Sequence, residues 1–261
     1  MQLNKYLALC GVASRRKAND LIAGRRVSIN GKKADRLGIQ VHSGTDAVAL
    51  DGKVLHPPRK FRYVLLNKPM NALTTVSDDR GRKTVLDLIE APRGLFPVGR
   101  LDLDTEGVLL LTNDGDLAYR LAHPRYEIDK IYHAAVQGEF GDGPIRQFKK
   151  GVAIESGVVV KGEARIVRKL GNRTLVEIRL HEGKKRQVKR MFAALGYSVH
   201  RLARINFAGL TARGLAVGDW RDLKPDEVRM LYRSAGLEAD QNTPDDSRAA
   251  APAGKTERGR A

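Results

Sequence analysis

The chain has 261 residues, 42% of them hydrophobic, which is enough to build a core and excludes wholesale disorder. Its 47 Lys/Arg outnumber 30 Asp/Glu, a formal charge of +17 that points to a polyanion as partner. One cysteine, Cys10, excludes an intrachain disulfide and a cysteine zinc cluster, and no apolar run approaches membrane-spanning length. A cytoplasmic monomer that needs no membrane is the expectation.

The charge is not carried by a tail. Residues 1–60 hold 12 Lys/Arg against 4 Asp/Glu, a net of +8, and residues 61–233 hold 31 against 21, a net of +10. Residues 234–261 hold 4 against 5, a net of −1. No basic amphipathic terminal helix stands apart, so nucleic acid explains the balance better than a lipid surface does.

In chain order, Leu3, Tyr6, Leu7 and Cys10 recur at helical spacing, and Gly11 ends that element. Cys10 is read as a core residue on its apolar face. Ser14 is an N-cap for a helix over 15–23, with Ala18, Leu21 and Ile22 inward and Gly24 as its stop. Residues 27–32 read as a strand entering an Asn30-Gly31 hairpin turn. Arg15, Arg16, Lys17, Arg25 and Arg26 crowd the second helix and its exit, followed by Lys32 and Lys33. A single such run is ordinarily a solvated face. Clustered here around one short helix, these seven predict a contiguous phosphate-binding surface. The Ser-Arg-Arg helix and basic hairpin resemble the S4 RNA-binding domain, which implies RNA binding over about the first fifty residues. The paired Pro57-Pro58 mark a connector. The expected division is an S4-like domain over 1–55, a linker over 56–61, a catalytic domain over 62–233 and a disordered tail over 234–261.

Residues 63–68 predict a buried strand that brings Asn67 and Lys68 to an edge. Residues 79–88 follow, with Arg82 as a candidate RNA contact, and then a short helix. The stretch around which the chain is organised is GRLDLDTEGVLLLTNDG, residues 99–115. It is a polar, Asp-rich loop followed at once by an apolar strand-like run over 108–111, then a turn into a helix over 117–121. Apolar neighbours on both sides suit a rigid site more than a surface linker. Lys130-Ile131-Tyr132 opens a strand over 131–136. His123, beside Pro124, reads as a loop hydrogen-bonding residue. Residues 150–180 alternate apolar and polar side chains as a run of antiparallel strands. Val188, Met191, Phe192 and Leu195 form a core-facing stripe on a helix closed by Gly196, and its basic residues include Lys184, Lys185, Arg186, Lys189 and Arg190. Residues 199–207 predict a final strand with basic residues on one face, and residues 226–232 a short helix. Past Ser234 there is little to bury.

The GRLDLDTEGVLLLTNDG stretch resembles the catalytic motif of the RsuA/RluB family of ribosomal RNA pseudouridine synthases, in which the Asp of GRLD is catalytic. That Asp is Asp102. The Lys68-Pro69 landmark, the Gly81-Arg82 segment, Lys130-Ile131-Tyr132 and EGKKRQVKRMFAALG match the family's other signatures, and the likeness spans about residues 1–232. It implies that Tyr132 lies against the target base and that a basic residue pairs with the catalytic carboxylate. By its place after Gln187-Val188, Lys189 is first choice for that partner and Arg190 second. Lys68, Arg82, Arg100, Lys184, Lys185, Arg186 and Arg190 are the implied RNA contacts. The fold implied is α+β, a small S4-like domain followed by a mainly antiparallel mixed sheet flanked by helices. The Gly-Arg version of the second motif favours a large-subunit ribosomal RNA substrate, with small-subunit RNA the runner-up.

Uridine isomerisation breaks the N1–C1′ bond and rejoins the ring through C5, without redox step, metal or cofactor. It requires an ionised carboxylate at the sugar, to attack or to take a C2′ proton, and the sequence leaves both open. A neighbouring cation opposes the desolvation that would raise the carboxylate's pKa. An aromatic ring replaces the stacking that the uridine loses, worth ~1–3 kcal/mol per base. A non-catalytic ribosome-binding or assembly protein would use the same basic surfaces but has no need of a carboxylate in a basic groove. A phosphate-handling enzyme is disfavoured by the lack of a P-loop.

Overall fold

The computed structural model describes residues 1–58, 60–89, 94–155 and 157–238. The first elements are α1 (Leu3–Leu9), α2 (Arg15–Ala23), β1 (Val27–Ile29), β2 (Lys32–Lys33), β3 (Val48–Leu50) and β4 (Lys53–Val54). Ser14 caps α2 as expected, its hydroxyl accepting from Lys17 N at 3.3 Å. Asn30 and Gly31 both take positive φ (51° and 79°), the two-residue turn whose twist matches a hairpin. The four strands form an antiparallel sheet in the order β2-β1-β3-β4. Leu3, Tyr6, Leu7, Ala18, Ile22, Val27, Val41 and Val48 fill a small core between this sheet and the two helices. Cys10 packs against that core half-buried, and burial pushes its thiol up to about 11, far from a reactive thiolate.

The larger part follows as β5 (Tyr63–Lys68), β6 (Phe96–Pro97), β7 (Glu106–Thr112), α3 (Gly115–Ala122), β8 (Lys130–Gln137), α4 (Asp142–Lys150), β9 (Val152–Glu155), β10 (Val158–Val160), β11 (Glu163–Leu170), β12 (Arg173–Leu180), α5 (Gln187–Ala194), β13 (Val199–Phe207), β14 (Trp220–Asp222) and α6 (Pro225–Ser234). Eight strands make one sheet, in the order β11-β12-β8-β13-β7-β5-β14 with β6 beside β7. Neighbours are antiparallel except β13 and β7, which run parallel through Ala203–Glu106 and Arg204–Gly107. This is the mixed, mainly antiparallel sheet that the sequence predicts.

The continuous apolar runs of β5 and β7 have a physical cause: both strands are covered on both faces. On one face, Val64, Leu66, Leu109 and Leu111 pack with Phe148 of α4 and Val188, Met191 and Phe192 of α5. On the other, Tyr63, Leu65, Val108 and Leu110 pack with Leu117 and Leu121 of α3 and Val228 and Leu231 of α6. Lys5 of α1 reaches Asp116 of α3 at 2.7 Å, a contact between the first sixty residues and a helix of the larger part.

Three expectations need correction. Helix α4 lies just before the strand run and was not foreseen. β13 is not the last strand, because β14 pairs with β5 through Trp220–Leu66 and Asp222–Val64. The basic residues of β13 do not share a solvent face: Arg201 is exposed, whereas Arg204 is 2% exposed. Of the tail expected to be disordered from 234, Ala235 is buried and Leu237 packs against the core, while the residues from 239 lie outside the described residues.

Candidate active site

Residues 99–105 form a loop between β6 and β7, at the point where β7 meets its parallel neighbour β13. Three anchors fix the loop. Thr74 donates its hydroxyl to Leu101 O at 2.7 Å, and Asn71 N donates to Leu103 O at 2.8 Å. Lys68 donates to Pro69 O, Asp102 O and Thr105 O at 3.0, 3.2 and 3.0 Å. Lys68 is therefore not the edge RNA contact that the sequence suggested. It is 0% exposed, and its ammonium holds the backbone of the loop from beneath. Burial pulls its pKa down to about 8, against the opposing charges of Asp102, Asp104 and Glu106.

The end of β7 explains the tight join. Gly107 has φ 107°, and a Cβ there would stand 2.1 Å from the Arg204 carbonyl oxygen. Only glycine allows the two parallel strands this approach.

Asp102 lines a cavity of about 500 Å³ with Gly99, Arg100, Leu101, Thr105, Tyr132, Leu180, Leu202 and residues 182–188. That volume suits a ligand of nucleotide size. Tyr132 enters from β8, where Lys130, Tyr132, Ala134 and Val136 alternate toward the covered face of the strand. The structure thus brings together Asp102, Tyr132, Arg100, Lys184, Lys185 and Arg186 around one opening. The opposite rim is tied by Gln187, a buried residue whose side chain accepts from Lys184 N at 2.8 Å and donates to Glu182 at 3.2 Å. Neither Gln187 nor Glu182 is singled out by the sequence pattern, although both lie inside the basic motif EGKKRQVKRMFAALG.

The expected ion pair differs. Lys189 pairs with Asp104 at 2.6 Å, not with Asp102, and Arg186 lies 3.4 Å from the same carboxylate. Arg190 donates instead to Lys185 O and Ile154 O, at 3.3 and 3.2 Å. Register explains this. Asp104 is the more exposed of the two aspartates and faces the first turn of α5, while Asp102 faces the cavity.

Further contacts lie apart from the cavity. Arg82 is engaged by Asp78 at 2.7 Å, and that guanidinium holds the Asp78 carboxyl down at about 2. In the N-terminal part, Arg15, Arg16, Lys17, Lys32 and Lys33 are exposed. Arg26 is paired with Asp51 at 3.1 Å and Arg25 with Asp35 at 3.8 Å, so these two are partly neutralised. His123 accepts from Arg125 N through Nδ1, the loop role read for it. Among the described residues, no group of three His, Cys, Asp or Glu is placed to hold a metal ion. No helix among them is long and apolar enough to cross a membrane.

Residues 62–194 match the model of the RNA pseudouridylate synthase family, and residues 1–46 match that of the S4 domain. The chain belongs to the RNA pseudouridylate synthase family. It is 45% identical to an uncharacterised RNA pseudouridine synthase of Aquifex aeolicus (strain VF5), over 91% of this chain and 96% of that one. It is 42% identical to the ribosomal large subunit pseudouridine synthase B of Bacillus subtilis (strain 168), over 88% and 95% respectively. A crystal structure of a pseudouridylate synthase superposes with a TM-score of 0.64 at 27% identity, covering 88% of this chain and 99% of that chain. The pseudouridine synthase reading of the sequence and its α+β architecture with an S4 domain are therefore borne out. The protein is an isomerase of uridine in RNA.

Proposed function

We propose that this synthase acts on ribosomal RNA of the large subunit and that Asp102 is its catalytic carboxylate. The observation that carries the reading is the juxtaposition of Asp102 and Tyr132 on the wall of one cavity of about 500 Å³ whose rim is basic. A flipped uridine placed there presents its sugar to Asp102 and its base to the Tyr132 ring. Arg100, Lys184, Lys185 and Arg186 meet the flanking phosphates, and the exposed cations of α2 and β2 add affinity at a distance. Buried Lys68, whose ammonium donates to the Asp102 carbonyl, fixes the loop that presents this carboxylate. The large-subunit substrate is supported by the Bacillus subtilis relative and by a Haemophilus influenzae protein of the same name, 36% identical over 93% of this chain and 70% of that one.

Pseudouridine mapping of both ribosomal RNAs from a deletion strain tests the substrate. One site lost from the large-subunit RNA, and restored by the wild-type gene but not by an Asp102→Asn allele, is the expected result. Loss confined to the small-subunit RNA would replace the substrate assignment, and no loss in either would refute it.

A further inference from the structure

Two buried cations, Lys130 and Arg204, lie on β8 and β13, the strands that also carry the cavity residues Tyr132 and Leu202. Lys130 is 6% exposed and donates to the carbonyls of Ile128 and His181 at 3.0 and 3.1 Å. Arg204 is 2% exposed and more unusual. Its Nε donates to Val108 O at 2.9 Å, and its guanidinium lies 4.6 Å from the Phe207 ring centroid. Its Nη2 has no hydrogen-bond partner among the described residues. A buried guanidinium with an unmet N–H is costly and calls for a reason in function.

The reason lies one strand away. Arg204 is the register partner of Tyr132 across β13 and β8. Burial pushes the guanidinium pKa down, and the adjacent Tyr132 side chain works against that shift. Gly107 lies directly against the Arg204 backbone, so β13 and β7 approach closely at this point. Phe207 lies under the guanidinium and keeps water from it.

We propose that Arg204 is the positioning residue for Tyr132, its guanidinium holding the phenol oxygen as an acceptor and so fixing the ring against the bound base. This rests on the reading of Tyr132 as a wall of the substrate cavity. Arg204 itself never touches RNA. Its N–H groups accept no proton and lose none; they set where the ring stands and how far it swings, which is a term in near-attack geometry and not in affinity.

The test is a double-mutant cycle under single-turnover conditions with saturating RNA, beside two physical readouts. Arg204→Gln is expected to lower the isomerisation rate roughly 10–100-fold, with RNA affinity changed less than about twofold. In a Tyr132→Phe background, where the hydroxyl is absent, the same change should alter the rate less than about twofold. If Arg204→Gln melts below the assay temperature, Arg204→Lys reads the same cycle. In protein labelled with 13C-tyrosine, the phenol signals assigned to Tyr132 by their loss in Tyr132→Phe should shift in Arg204→Lys. This last readout stands even if Tyr132→Phe is inactive. Additive rate effects, or unshifted Tyr132 signals, would overturn the role of Arg204. Turnover retained by Asp102→Asn would instead overturn the cavity assignment, so the two failures are told apart.

Discussion

Lys189 stands 2.6 Å from the Asp104 carboxylate and 3.3 Å from its carbonyl, so the first basic side chain of α5 answers the second aspartate of the loop and not the first. Burial works to raise the Asp104 pKa, but the Lys189 hydrogen bond and charge, with Arg186, outweigh it and leave the carboxyl below its ordinary value. Asp104 therefore occupies two cations at the mouth of a phosphate-binding rim. Asp104→Asn should free Lys189 and Arg186 for RNA, tightening binding several-fold and steepening its salt dependence by about one phosphate contact. Turnover should remain substantial. Filter binding from low to moderate salt checks this; weaker binding by the variant would show that the pair orders the rim instead of competing with RNA.

Gly107 should be the least replaceable residue of β7. With φ 107° and an added Cβ 2.1 Å from the Arg204 carbonyl, Gly107→Ala must either twist β7 or push β13 away. A loss of at least ~3 kcal/mol, or failure to fold, is expected. Gly115→Ala is the control, since a Cβ there meets nothing within 4 Å. It opens α3, where alanine is the better helix former, so its melting temperature should stay level or rise slightly. Equal melting temperatures for the two variants would show that the parallel join is more elastic than its geometry implies.

Asp114 carries stability and not chemistry. Its Oδ1 caps α3 by accepting from Asp116 N and Leu117 N at 3.2 and 3.1 Å, while its Oδ2 accepts from the Tyr63 and Tyr232 hydroxyls at 3.0 and 2.5 Å. Burial, then the Tyr232 hydrogen bond, drives the Tyr63 pKa far above its usual value, so the Tyr63 phenol remains a donor. Asp114→Ala removes a cap and the acceptor shared by two buried hydroxyls that otherwise reach each other at 3.0 Å, a loss of ~2–4 kcal/mol. Asp114→Asn, which keeps the shape, should lose less. Both should retain full single-turnover rates below their melting temperatures; a rate defect in a folded variant would reassign Asp114 to the site.

How far the sequence foretold this arrangement depended on whether a residue's environment leaves a trace in its neighbours. Ser14, the Asn30-Gly31 turn and the α5 stripe are local signals, and each is where its pattern put it. The Asp102 loop was legible because a long contiguous motif specified it. Lys68 was not, because a lysine at the end of an apolar strand reads alike whether it points to solvent or under a loop; only the tertiary carbonyls of Asp102 and Thr105 decide. Helix α4 offers only Ile145 and Phe148 as an inward face, between Gly141 and Gly151, and is too short for its period to stand out. β14 has three half-buried residues and no alternation to see. The Lys189–Asp104 pair required knowing how the loop and helix face each other, which no spacing within either one reports.

Buried Lys130 should set a pH dependence of stability. Burial first, then the charge of Arg204, pulls its pKa down to about 8, against the opposing pull of Asp129 and Glu182. Between about pH 8 and the ordinary lysine value near 10.4, the unfolded chain therefore holds more of this proton than the folded one. With more protons bound in the unfolded state, unfolding free energy rises with pH through that window and is flat below it for this group. Lys68, with the same shift, contributes in the same direction. Urea titrations from pH 7 to 10.5 should show wild type gaining on Lys130→Met as pH rises, since the variant lacks one of the two contributions. A constant difference across the window would mean that Lys130 keeps its ordinary pKa and is not buried as a cation.

Asp102 itself should be indispensable to turnover. Its backbone is fixed by Lys68, its side chain borders the cavity with Tyr132, and its partner aspartate two residues on is already engaged by Lys189 and Arg186. Among the loop's carboxylates it is thus the one facing the space where a uridine fits. Asp102→Asn keeps size and most hydrogen bonding but removes the charge and with it the nucleophile or base. Single-turnover conversion of uridine to pseudouridine should fall below detection, while RNA affinity stays level or rises slightly because a negative charge near phosphates is gone. Asp104→Asn and Asp114→Asn, assayed on the same RNA, should both turn over. Activity in the Asp102 variant together with its loss in the Asp104 variant would move the catalytic role two residues along the loop. Activity in all three would sink a carboxylate mechanism in this loop, and the residues lining the opposite rim, Glu182 first, would be the next to replace.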